Sequence, residues 1–259
     1  MNKRAVILIS SLAAVVIAVV LACSIFAVGE VRVVTGADVA LDEETQKGIV
    51  AAAGVKEGSS IFSLDEQAVT ANVEAAFPEV KVITIERGFP GTVSVNCALR
   101  TPFIYVACEG GYALLDRELK VIKIVSSAPG EGYMFVGGYT LSSAQAGAFA
   151  DIPWLKALVA GGESNYFMNQ RLAYLLPSVT YHGGENAYLD MLTNTGAHLI
   201  VYDEGDIAHM FSLVYAAYKG CLFGESENSP YAYSQSGWFY PQAESGRVNI
   251  KHSQTAPVA

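Results

Sequence analysis

The segment Pro78-Glu-Val-Lys-Val-Ile-Thr-Ile-Glu-Arg-Gly-Phe-Pro-Gly-Thr-Val-Ser-Val-Asn-Cys-Ala-Leu-Arg-Thr-Pro102 reads as two strands around a tight turn. Ile83 and Ile85 alternate with Thr84 and Glu86, and Val93, Val95, Cys97 and Leu99 alternate with Ser94, Asn96 and Ala98. Alternation with a period of two places each apolar set on one face of a half-buried sheet. Arg87-Gly88-Phe89-Pro90-Gly91 separates the runs, and its two glycines and proline favour a chain reversal over a continuous strand. A hairpin with one apolar face is not stable alone. The preceding sequence therefore has to cover it.

Upstream, two helices are available for that role. Asp42-Glu43-Glu44 opens the first, because acids favour a helix N-terminal turn. Ile49, Val50 and Ala53 form its apolar stripe and Gly54 ends it. Ser63-Leu-Asp-Glu66 fits a capping box for the second, over residues 65–76, with Val69, Val73, Ala76 and Phe77 inside and Pro78 as the stop. A short β-type run at residues 31–35, closed by Gly36, precedes both helices. The order is strand, helix, helix, strand, strand. Ile49, Val73 and Phe77 are expected to pack on Ile83, Ile85, Val93 and Val95.

Further upstream, residues 5–28 contain no Asp, Glu, Lys or Arg. As a helix rising ~1.5 Å per residue, such a run spans a hydrocarbon core of ~30 Å with some tilt. Lys3 and Arg4 precede it and Glu30 follows, so positive charge stays inside and the remainder faces outward. Phe26 alone represents an interfacial aromatic belt. Two rival readings exist. A cleaved signal peptide has a shorter apolar core, of ~7–15 residues. Val20-Leu21-Ala22-Cys23 resembles a lipobox, although the apolar run continues through Ile25, Phe26 and Val28.

Of the chain's 259 residues, 52% are hydrophobic, and the net charge is −9. Without Lys3 and Arg4 there remain 25 acids against 14 bases, a net −11. That surface argues against nucleic acid and anionic lipid as electrostatic partners, since phosphate recognition uses clustered Lys and Arg. The cysteines at 23, 97, 108 and 221 form no C-x-x-C pair, which removes zinc and thioredoxin-type readings. A Cys97–Cys108 disulfide stays open for an extracytoplasmic region.

Downstream, the pattern turns to β. Strands are expected at residues 103–107, 112–115, 121–125, 179–182, 187–192 and 198–202, with a final pair at 238–240 and 247–251. Residues 126–138 read as a turn-rich connection. Helices fit residues 152–159 and 166–176, with Gly161-Gly162 between them. Another runs from an Asp206 cap to Tyr218, its inner face carrying Ile207, Met210, Phe211, Val214 and Tyr218. Residues 253–259 read as a loose tail.

These segments in this order resemble the FtsQ/DivIB family of bacterial division proteins. The likeness rests on Val33-Val-Thr-Gly36, Gly54-Val-Lys-Glu-Gly58, Ile61-Phe-Ser-Leu-Asp65, residues 77–87 and Phe89-Pro-Gly-Thr-Val-Ser-Val95. More loosely, it extends to Tyr112-Ala-Leu-Leu-Asp116, residues 195–201 and Arg247-Val-Asn-Ile-Lys251. The chain departs from the family at Leu99, where a Glu is usual, at Leu119, where a turn glycine is common, and at His209, where a Lys or Arg is usual. The resemblance implies an α+β architecture: a cytoplasmic tail (1–4), one transmembrane helix (5–28), a βααββ POTRA-like domain (31–101), and a mostly antiparallel β domain with flanking helices (102–252). It also implies a non-enzymatic divisome scaffold without cofactors, enriched at the septum and regulating septal peptidoglycan synthesis. Its partners would be FtsB/DivIC-like and FtsL-like membrane proteins.

The titratable residues form no catalytic motif. His182, His198, His209 and His252 are scattered, and no H-E-x-x-H, G-x-S-x-G or S-x-x-K occurs. Asp203, Glu204 and Asp206 lack EF-hand spacing, and a solvated loop with a helix cap is the simpler reading. A closing strand at an open sheet edge, by contrast, offers free backbone groups to a partner. The candidate partner-binding residues are Arg247, Val248, Asn249, Ile250 and Lys251. The alternative is a membrane-anchored or lipoprotein module that binds a ligand or the cell wall, unconnected with division.

Overall fold

A computed structural model of the chain describes residues 11–17, 25–36, 41–164, 172–223, 236–244 and 247–257. Most of the apolar run at 5–28, the lipobox-like residues 20–23 and the first part of the helix expected at 166–176 lie outside these. Residues 11–17 are helical, and among the described residues no helix is long and apolar enough to cross a membrane. The chain divides into two units, residues 1–100 and 101–259.

The first unit contains β1 (Glu30–Thr35), α1 (Glu43–Ala53), α2 (Glu66–Ala76), β2 (Val80–Gly88) and β3 (Thr92–Leu99). Its sheet runs β1-β3-β2, with β1 parallel and β2 antiparallel to β3. The Asp42 side chain accepts from the Thr45 N–H at 2.7 Å, and Gly54 ends α1 with φ 63°. Asp65, rather than Ser63, caps α2 by accepting from the N–H groups of Gln67 and Ala68. Ser63 instead belongs to a single 3-10 turn, Ile61–Ser63, which places its hydroxyl on the carbonyl of Ser60. Ile49, Val69 and Val73 from the helices meet Val80, Val82, Val95 and Cys97 from the sheet.

Ile83 is not part of that core. It is 55% exposed, because the β2–β3 register shifts between Val82 and Thr84 and leaves Ile83 as the extra residue. One added residue reverses the facing of everything after it. Val80 and Val82 therefore point inward before the bulge and Ile85 after it. Leu99, at the strand's end, is also exposed. Phe77 is half-buried, packed against the core with its ring over Gly48. Phe77→Ala should therefore cost about 1.5–3 kcal/mol in a urea melt, below the ~3–5 kcal/mol of a fully buried ring.

Residues 26–28, where the apolar run ends, are built into this unit. Val28 is buried with Ile61 and Val93. The Val28 N–H donates to Ser59 O, the Gly58 N–H to Val28 O, the Ile61 N–H to Phe26 O and the Gly29 N–H to Gly91 O. A Cβ on Gly91 would run into the carbonyl of Ala27, so only glycine lets the hairpin tip approach this strand. At the other end, Arg100 is buried and its Nη2 lies 2.7 Å from Glu74 Oε2.

The second unit contains β4 (Ile104–Cys108), β5 (Gly111–Leu115), β6 (Val121–Val125), β7 (Met134–Leu141), α3 (Pro153–Ser164), α4 (Leu172–Leu175), β8 (Ser178–His182), β9 (Tyr188–Leu192), β10 (Ala197–Tyr202), α5 (Ile207–Phe223), β11 (Gly237–Glu244) and β12 (Arg247–Ser253). Among the described residues these strands form one sheet in the order β12-β11-β10-β9-β8-β7-β4-β5-β6. The pairs β4–β7, β7–β8 and β10–β11 are parallel and the others antiparallel. Strand β7 replaces part of the turn-rich connection expected at 126–138. Its two glycines break the alternation, and the shift from Val106↔Val136 to Ala107↔Thr140 accommodates them as a bulge.

Helices α3 and α5 pack against each other, and α5 lies on β10 and β11. Their shared core includes Leu155, Leu158, Phe211 and Val214 together with Val179, Met191 and Leu199. Gly161, expected to separate two helices, lies within α3. A Cβ there would stand 2.9 Å from the Ala208 Cα, so its missing side chain permits the close approach of α5.

Leu119 carries φ 61° in the β5–β6 turn and is buried in the same core. The side chain's burial explains why a leucine occupies a position suited to glycine. Leu119→Ala should lose ~2–5 kcal/mol of burial while keeping the backbone strain. Leu119→Gly should be about 1 kcal/mol more stable than Leu119→Ala in the same melt, the reverse of the usual order.

Cys97 and Cys108 are buried free thiols, so the disulfide considered from the sequence is not formed. Burial pushes the Cys97 thiol up to about 11, which keeps it protonated and unreactive near neutral pH.

Candidate partner interface

Among the described residues, one end of the large sheet is shielded and the other is open. At the β6 end, the Val121 N–H donates to Ala148 O, the Gly147 N–H to Val121 O and the Ala150 N–H to Leu119 O. Phe149 also bridges Lys120, whose ammonium lies 5.4 Å from the centre of its ring. Residues 147–150 thus cover part of that edge. At the other end, β12 pairs with β11 from Trp238↔Ser253 to Glu244↔Arg247, and no described strand lies beyond it. Uncovered edges of this kind are templates for strand addition.

All five sequence-proposed residues, Arg247 to Lys251, lie on β12. Arg247, Val248 and Asn249 are exposed, whereas Ile250 packs partly against the main core. Glu244 on the neighbouring strand holds the other face. Its carboxylate accepts from Asn249 Nδ2 at 3.2 Å and lies 3.0 Å from Lys251 Nζ. The hydrogen bond and charge of Lys251, assisted by Asn249, hold the Glu244 carboxyl below its usual range.

Strand pairing also assembles a cluster that the linear sequence scatters. On the sheet face opposite α3 and α5, His198 Nδ1 lies 2.7 Å from Asp190 Oδ1, and its ring stacks on Trp238 with centroids 4.9 Å apart. His182 stacks on Tyr188 at 4.4 Å. A groove bounded by His182, Tyr188, Asp190, Tyr202, Trp238 and Pro257 lies across this face. The sequence signal was a period-two series in each strand: Tyr188-x-Asp190, His198-x-Ile200-x-Tyr202 and Trp238-x-Tyr240. His209 and His252 lie elsewhere: the His209 N–H bonds the Asp206 cap, and His252 Nε2 is 2.9 Å from Ser236 O. Asp203 accepts from the Tyr181 hydroxyl at 3.1 Å, so the acidic loop serves local structure.

Residues 33–97 match the family model described as "POTRA domain, FtsQ-type". Over 163 residues the chain is 26% identical to the cell division protein FtsQ of Corynebacterium glutamicum, covering 61% of this chain and 68% of that one. Both likenesses support the FtsQ/DivIB family. The POTRA match coincides with the βααββ order of the first unit, from within β1 to Cys97 in β3. The FtsQ-type assignment and the exposed β12 edge lie in different units, so they are independent observations.

Proposed function

We propose that this protein is a non-enzymatic scaffold of the bacterial division machinery, anchored in the cell membrane by its N-terminal apolar segment, with both units outside. The observation that carries the reading is the contrast between the sheet's ends: in a chain with an FtsQ-type POTRA domain, β6 is shielded by residues 147–150 while, among the described residues, β12 is open. Partners resembling FtsB/DivIC and FtsL would add a strand along Arg247–Lys251, with main-chain hydrogen bonds supplying affinity and Val248 supplying a side-chain contact. The scaffold would thereby bias septal wall synthesis without chemistry of its own. Because Phe26 to Val28 pack on and hydrogen-bond to Ser59, Ile61 and Val93, we place the membrane segment at residues 5–25, which as a helix rising ~1.5 Å per residue would span about 31 Å.

The test is a photo-crosslinker at Val248 in the full-length membrane protein, read alongside septal localisation of a fluorescent fusion. The expected result is septal enrichment and crosslinks to small single-pass division proteins. A uniform membrane signal without such crosslinks overturns the division reading. It would favour the second reading, a ligand- or wall-binding module, for which the aromatic groove beside Trp238 provides the surface.

A further inference from the structure

Three phenylalanines from separate segments converge where the apolar run joins the first unit. Phe26 follows residues 5–25, Phe62 lies on the 3-10 turn, and Phe89 is at the tip of the β2–β3 hairpin. Ring centroids are 5.4 Å apart for Phe26–Phe62, 5.8 Å for Phe26–Phe89 and 5.9 Å for Phe62–Phe89. Yet Phe62 is 62% exposed and Phe89 65%, with Ile25 exposed beside them. Phe149 is as exposed, but the Lys120 ammonium lies over its ring. The triad has no such companion in the geometry described, and Arg87 near it is paired with Glu66 at 2.8 Å. The backbone bonds linking residues 26–29 to Ser59, Ile61 and Gly91 fix the three rings relative to the chain's entry point.

We infer that Phe26, Phe62 and Phe89 form a bilayer-interface anchor that seats this end of the POTRA unit in the headgroup layer. The inference rests on the proposal that residues 5–25 span the membrane. Phe26 follows that segment directly, so the triad stands where the segment meets the interface. The interfacial aromatics that the N-terminal sequence supplies only once are then provided by the folded unit. An uncharged, rigid cluster of this kind inserts through apolar burial, and so its seating should not require anionic lipid.

The test uses the full-length protein in nanodiscs of zwitterionic phosphatidylcholine with brominated acyl chains, in two variants, Phe89→Trp and Ile83→Trp. Both positions are exposed and on β2 or its turn, separated by about 20 Å at ~3.3 Å per residue. Tryptophan emission is read as the increment of each variant over the parent protein. The expected result is at least about twofold quenching of the increment from Phe89→Trp and little quenching of the increment from Ile83→Trp, as for an interfacial ring at the first position alone. If the protein enters nanodiscs but the two increments quench alike, or not at all, the inference fails and the anchor reading stands. If the Phe89→Trp emission shifts to the blue without bromine quenching, protein covers the patch and the inference fails. If the chain does not enter nanodiscs, the anchor reading fails and takes the inference with it.

Discussion

Arg100→Met should destabilise the first unit by about 3–5 kcal/mol, the cost of breaking a buried ion pair by removing one of its members. The side chains of Arg100 and Glu74 are 2% and 13% exposed, and their charged atoms are 2.7 Å apart. Arg100 also ties the end of β3 to its neighbours: its N–H donates to Glu79 O at 2.7 Å and its Nε approaches Val80 O at 3.4 Å. Glu74 in turn accepts from the Val82 N–H at 3.0 Å, next to the β2 bulge. Glu74→Gln in the Arg100→Met background should recover much of the loss, because glutamine keeps an acceptor for Val82 and lowers the cost of burying a full charge. Hydrogen exchange of β2 and β3 amides in the intact protein is the readout. Protection should fall by about 10²–10³-fold in the single variant, each tenfold being ~1.4 kcal/mol. A fall below about tenfold would show that water reaches Glu74 once the guanidinium is gone, and the pair would then rank with surface ion pairs.

That pair was invisible in the sequence for a simple reason. Its partners are 26 residues apart, and only closure of β2 onto β3 and α2 brings them together. Local signals were legible where one short stretch carries the whole cause. Asp42 and Gly54 bound α1, Asp206 caps α5, and the glycines and proline at 88–91 turn the hairpin. Signals failed where two neighbouring causes compete. Ile83 and Ile85 read as one alternating apolar set, yet a bulge turns Ile83 outward and leaves Ile85 against the core. Gly137-Gly138 reads as a turn, yet neighbours on both sides hold β7 in the sheet. Gly161-Gly162 reads as a helix break, yet the close approach of Ala208 makes Gly161 an interior helix contact. The β12 edge was legible as a strand, but its being the uncovered end of the sheet is a property of strand order alone. The grouping of His198, Asp190 and Trp238 likewise depends on register between β9, β10 and β11.

Proline substitution on β12 should separate backbone recognition from side-chain recognition. In a strand paired on one side, successive N–H groups point alternately toward the neighbour and away from it. Of Val248→Pro and Asn249→Pro, one therefore removes an outward donor and the other cuts into the ladder with Gln242 and Ala243 of β11. A thermal melt identifies which is which, since the ladder-cutting variant alone should lose substantial stability. The variant that keeps the parent's melting temperature should lose at least about tenfold in affinity for a strand-adding division partner, ~1.4 kcal/mol or more. Asn249→Ala should bind within about threefold of the parent, because its side chain reaches back to Glu244 and an added strand is read through main-chain groups. The exposed Val248 is where a pocket contact would show, so Val248→Ala should fall between these limits. If the stable proline variant binds as the parent does, strand addition on β12 is wrong. The groove beside Trp238, on the sheet face opposite α3 and α5, then becomes the surface to alter next.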